Sequence, residues 1–188
     1  MRKFSVRPAI TLRGRKFKGL RGWAGKPLHP PFTDFPIAAY VLAAVFDVIS
    51  VVGGSSHPWA REFFHAGTYV FIGGAAVSLL AALTGWRDWR TSSEPGNQAR
   101  RTINTHAVIM ITVTALALAD IAWRLDKYHS VSCTPVGLMV LSALVAALVS
   151  LGATYGGTLV FDYGFNVETA GDHPVWHTSE TDVFPGDK

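Results

Sequence analysis

Four long apolar runs dominate this chain: residues 35–54, 65–85, 104–123 and 134–160. A helix of about 20 apolar residues crosses the roughly 30 Å of hydrocarbon in a bilayer. No water is present at that depth, so each backbone N–H and C=O must be paired within the segment, which selects helix. The first run, Phe35 to Gly54, holds one charged residue, Asp47; the second, His65 to Gly85, holds no acid, Lys or Arg. The expected fold class is all-α, an integral membrane four-helix bundle. Gly73-Gly74 and Ala75-Ala76 in the second run, and Ser142, Ala146 and Ser150 in the fourth, supply small residues that let helices approach closely in lipid.

Charge is segregated along the chain. Residues 1–33 carry nine Lys/Arg and no acid, whereas residues 162–188 carry six acids and one Lys. This divides the chain into a basic arm (1–26), a transmembrane domain (27–163) and an acidic polar tail (164–188). The arm has no apolar core of the kind a secretory signal needs. Beside membrane spans, its partner is expected to be anionic lipid rather than nucleic acid. The arm, the loop with Arg87, Arg90, Arg100 and Arg101, and the tail share one side of a four-span topology. The other side has only Arg61, Arg124 and Lys127. The positive-inside rule then puts both termini in the cytoplasm of a bacterial inner membrane.

Ionisable groups within spans are costly and need partners. Counting at about 1.5 Å per residue places Asp47, His65 and Asp120 in an outer polar layer, with Arg124 one turn beyond Asp120. His29, Asp34, Asp88 and His106 fall near the inner interface. Each acid also has a local reading. Asp34 precedes Pro36 and suits an N-cap, Asp88 suits the neighbouring arginines, Asp120 and Arg124 suit an interfacial i,i+4 pair, and Asp47 suits a hydrogen bond to Tyr69 or to a backbone carbonyl across helices that fixes their register. His29 and His106 are geometrically suited to a b-type haem between two imidazoles in a four-helix bundle. A metal site from His29, Asp34 and His106 lacks ligand spacing. The single Cys133 excludes multi-Cys zinc or iron–sulfur sites within the chain. No Gly-x-Ser-x-Gly, Walker A or His-Glu-x-x-His motif is present, so no catalytic residue is assigned.

A set of short segments carries a resemblance. They are Gly25-Lys-Pro-Leu-His29-Pro, Thr33-Asp34-Phe-Pro-Ile37, Phe46-Asp47, Thr84-Gly-Trp-Arg-Asp88-Trp89, His106, Gly156-Gly-Thr-Leu-Val-Phe161 and Tyr163-Gly164-Phe-Asn-Val167. In order and spacing the chain resembles the bacterial membrane proteins of domain of unknown function 2231, over about residues 25–167. The resemblance implies four membrane helices and a loose association with redox proteins, and supplies no reaction. Many members carry a second His where this chain has Asp34; Asp there resembles a branch sometimes fused to a Rieske-type domain, which one Cys excludes here. Two functions follow as expectations. One is a non-catalytic anchor or accessory subunit for membrane redox proteins, able to oligomerise. The other is a b-haem or quinone-binding electron-transfer protein using His29 and His106.

Overall fold

The computed structural model describes residues 19–22 and 27–167. The basic arm, apart from residues 19–22, and the tail beyond residue 167 lie outside that set, and with them the expectations for arm, tail and anionic lipid. Four helices follow in chain order: α1 (His29–Gly53), α2 (Pro58–Ser92), α3 (Gln98–Lys127) and α4 (Val136–Phe161). All four are long and apolar enough to cross a membrane. Each packs on its neighbours in sequence, and α1 closes the ring against α4. The result is an up-down-up-down bundle in which α1 and α3 run in the same direction on one diagonal.

The helices exceed the apolar runs at their ends. α1 begins at His29, with Pro30 in its first turn, where the missing N–H is not needed. Asp34 is therefore inside the helix and exposed, not its cap; Leu28 holds the cap position without a side-chain bond. The segment expected as a loop, residues 55–64, is helical from Pro58 onward. α3 starts six residues before Asn104, because the Asn97 side chain accepts the Arg100 N–H at 2.8 Å and caps the first turn. Arg100 of α3 lies 4.0 Å from the Trp89 ring centroid of α2, and within α2 Arg90 lies 5.2 Å from that of Trp86.

The buried faces follow a 4,3 alternation. On α1 it runs Pro36, Tyr40, Ala43, Asp47, Ser50; on α4 it runs Leu138, Ser142, Val145, Val149, Gly152. An apolar seam of average period 3.5 favours the slight left-handed winding of four-helix bundles. It also corrects one packing expectation. Ser142 is buried, but Ser150 is exposed, so a ridge at strict spacing of four leaves the interface after one turn. Tyr40, Ala43, Phe71, Val113, Ala117, Val145 and Val149 form the central core, drawn from all four helices.

The two halves of the bundle repeat each other. Pro36, Tyr40, Ala43 and Asp47 on α1 correspond to Val113, Ala117, Asp120 and Arg124 on α3, each 77 positions later, and all eight are buried. A shift of 71 (Gly67 to Leu138) likewise carries six buried positions of α2 onto the six of α4. Since α1 and α3 are parallel, the repeat is a direct one, about a pseudo-two-fold axis along the bundle.

The α1–α2 contact depends on Gly74. A Cβ there would lie 2.9 Å from the Ala39 Cβ and 3.1 Å from Tyr40 Cε1, whereas at Gly73 the nearest neighbour would be 3.8 Å away. Gly74→Ala is expected to cost roughly 1–3 kcal/mol by forcing the helices apart. Gly73→Ala should be neutral or slightly stabilising, because Ala is the better helix former. Thermal unfolding in detergent, followed by circular dichroism, compares the two.

Candidate functional site

Two polar clusters occupy the α1–α3 diagonal, one at each end of the core. His29 and Asp47 are separated on α1 by eighteen residues, five helical turns and about 27 Å; His106 and Arg124 have the same separation on α3. Both pairs therefore share one face and meet across the bundle at matching levels.

At the first end the His29 and His106 ring centroids are 6.3 Å apart with ring planes at 88°. Each imidazole is anchored from the next helix in the same way. His29 Nδ1 lies 2.9 Å from the Ala81 carbonyl, with Thr84 Oγ1 at 3.3 Å, and His106 Nδ1 lies 2.8 Å from the Gly152 carbonyl. A carbonyl only accepts, so both Nδ1 atoms carry the proton and donate. In the neutral imidazole, Nε2 then keeps its lone pair. Four residues beyond each accepting carbonyl stands a glycine that makes room for the ring. A Cβ would lie 2.7 Å from His29 Cε1 at Gly85 and 3.4 Å from His106 Cε1 at Gly156. A backbone carbonyl behind the distal nitrogen is the usual support of a ligating histidine, because it sets both tautomer and ring orientation.

At the second end Arg124 reaches across the diagonal. Its guanidinium holds both oxygens of Asp47, Nη1 to Oδ1 at 3.1 Å and Nη2 to Oδ2, while Nε holds Asp120 Oδ1. All three side chains are 0% exposed. Thr134 Oγ1 adds a bond to Asp47 Oδ1 at 3.1 Å, and its backbone N–H donates to Ser50 Oγ, which in turn donates to the Ala60 carbonyl. The network thus ties α1, α2, α3 and the approach to α4. Phe64 and Phe71 cover the guanidinium, with ring centroids 5.9 and 5.1 Å from Cζ.

With this geometry in view, the family assignment rests on a match over residues 25–169 to a model of predicted membrane proteins, DUF2231. The chain belongs to the DUF2231 family. No curated protein and no solved structure matches it. The DUF2231 match takes in all four helices and both polar clusters, so the histidine pair and the triad belong to the family domain itself.

Not every residue expected at a site joins one in this DUF2231 chain. Asp120 and Arg124 form the expected i,i+4 pair, but it is fully buried rather than interfacial and extends to Asp47. Tyr69 does not bind Asp47, because its hydroxyl pairs with that of Tyr128, a bond that pushes the Tyr128 phenol above its ordinary value. His65 is not part of the triad: it stacks on Tyr128 at 4.4 Å and its Nε2 lies 3.2 Å from the Tyr128 carbonyl. Asp88 is buried and forms no ion pair with the neighbouring Arg87 or Arg90, and its Oδ1 has no hydrogen-bond partner. Asp34 remains exposed and apart from the histidines' hydrogen bonds. Sequence reasoning assigned no place to Ser50 and Thr134, whose roles depend on a loop returning to α1. Arg124 had a readable signal, the equal spacing of His29 to Asp47 and His106 to Arg124.

Removing Arg124 leaves two adjacent buried carboxylates. Arg124→Met is expected to cost about 3–5 kcal/mol, the range for breaking a buried pair from one side. Arg124→Lys should recover little, since a single ammonium cannot reproduce the three directed bonds. Thermal unfolding of the purified variants in detergent reads both.

Proposed function

We propose that this protein is an accessory subunit of bacterial inner-membrane redox proteins and that it holds a b-type haem between His29 and His106. The observation that carries the reading is the facing pair of imidazoles with both Nδ1 atoms committed to backbone carbonyls. With both Nδ1 atoms so committed, His29 and His106 would hold the group through Nε2. The observed centroid separation is 6.3 Å. Among the described residues no group of three or more His, Cys, Asp or Glu is placed to hold a metal ion. A bare ion would therefore have two protein ligands, whereas a haem brings four equatorial nitrogens of its own. Gly85 and Gly156 keep side chains away from the rings.

A haem bound there would supply one-electron chemistry. The Ala81 and Gly152 carbonyls would orient the two imidazoles that hold it, and the apolar core beyond Tyr40 would limit water on the buried side. The Lys/Arg asymmetry supports a cytoplasmic location for both termini and for the histidine end. A redox partner would then dock at that face.

Protein purified from haem-replete cells is expected to show a dithionite-reduced α band. His29→Ala and His106→Ala should each abolish it, with added imidazole restoring part of the signal. A colourless wild-type protein, or bands unchanged in both variants, would overturn the haem reading and leave an anchor without its own redox centre. Reporter fusions at Lys188 test the topology; a periplasmic signal would reverse it.

A further inference from the structure

The triad at the other end carries one charge too many. With Asp47 and Asp120 both ionised, Arg124 balances only one of them, and all three groups are 0% exposed. The two carboxyls are not equivalent. Both Asp47 oxygens are bound by the guanidinium, and Thr134 adds a further bond. Asp120 receives a single bond at Oδ1, from Arg124 Nε. Its Oδ2 is buried with no hydrogen-bond partner. An uncompensated carboxylate without a second partner is among the most costly groups a buried, membrane-embedded site can hold.

We infer that Asp120 is a proton-binding carboxyl: the triad holds one exchangeable proton at Asp120 Oδ2, and this proton, not a second cationic residue, completes its charge balance. The groups facing Asp120 leave no other source of balance. α1 contributes Asp47, α3 contributes Arg124, and the approach to α4 contributes the neutral Thr134. On α2, Phe64 and Phe71 cover the Arg124 guanidinium, His65 is engaged with Tyr128, and the charge of Arg61 acts on Tyr128 rather than on Asp120. A small metal cation is a poorer occupant, because it needs about six oxygen ligands and, among the described residues, no group of three or more His, Cys, Asp or Glu is placed to hold a metal ion. The site is independent of the histidine pair, five turns away, so it stands whether or not a haem is bound.

The chemistry predicts an asymmetric response to substitution. Asp120→Asn keeps the bidentate Asp47–Arg124 pair and removes the charge excess, so the variant should fold as the wild type does. Asp47→Asn leaves Arg124 with Asp120 alone, a balanced pair with no need of the proton. Infrared spectra of the full-length protein in liposomes, recorded in H2O and D2O, read the protonated carboxyl directly. The wild type is expected to show a deuterium-sensitive carboxylic C=O band at neutral pH, and this band should be lost in Asp120→Asn and in Asp47→Asn. No such band in the wild type, its persistence in Asp120→Asn, or its persistence in Asp47→Asn would each overturn the proposal.

Discussion

The Asp47–Arg124 ion pair constrains everything else in this bundle. Arg124 lies in the last turn of α3, where an arginine could extend to the interface, yet its side chain is fully buried. Facing the interior, it finds a partner only if α1 stands diagonally opposite. The pair therefore sets the rotation of α1 and α3 and their relative height. Once Asp47 and Arg124 are level, the equal five-turn spacing brings His29 and His106 level as well. Packing of Leu, Val and Ala cannot supply this information, because in lipid an apolar face gains nothing from meeting another apolar face except fit. Directed bonds from a planar guanidinium supply it, since the fork accepts only one orientation of its carboxylate.

Small residues let this register form. Gly74 brings α2 against Ala39 and Tyr40, and Gly67 sits where a Cβ would lie 3.5 Å from both Arg124 Nη1 and Asp47 Oδ1. A larger side chain at either position would separate α2 from the diagonal and open the ion pair to lipid or water. The hydrogen bonds from the histidines to Ala81 and Gly152 act in the same direction at the other end, each joining one helix to the next. The bundle is thus held by polar contacts at its two ends and by fit in its centre.

How much of this was legible in the sequence depends on whether a feature is local. The four spans were legible, because hydrophobicity sums along a segment and does not depend on neighbours. Their ends were less so: Pro58 to Phe64 and Gln98 to Ile103 are polar enough to read as loops, yet caps and aromatic contacts continue the helix through them. Asp34 was assigned to a cap because the first apolar run was taken as the helix, while Pro30 and Pro31 move the start back to His29. The histidine pair could be located by depth alone. The triad could not, because depth put Asp47, His65 and Asp120 at one level without saying which faced inward. The angular information lay in the paired spacings, and it becomes visible only when α1 and α3 are compared as repeats.

That repeat gives the two ends different chemical characters. The same shift of 77 positions relates His29 to His106 and Asp47 to Arg124, so identical residues meet at one end and opposite charges at the other. Opposite charges satisfy each other, which lets that end close without a ligand apart from the single free oxygen of Asp120. Two identical neutral imidazoles cannot satisfy each other when both Nδ1 protons are already spoken for: each presents an acceptor to an acceptor. On the proposed haem reading, an electrophile between them would resolve the mismatch. The symmetry that builds the fold from two similar halves thus puts two Nε2 acceptors at the histidine end and an ion pair at the other.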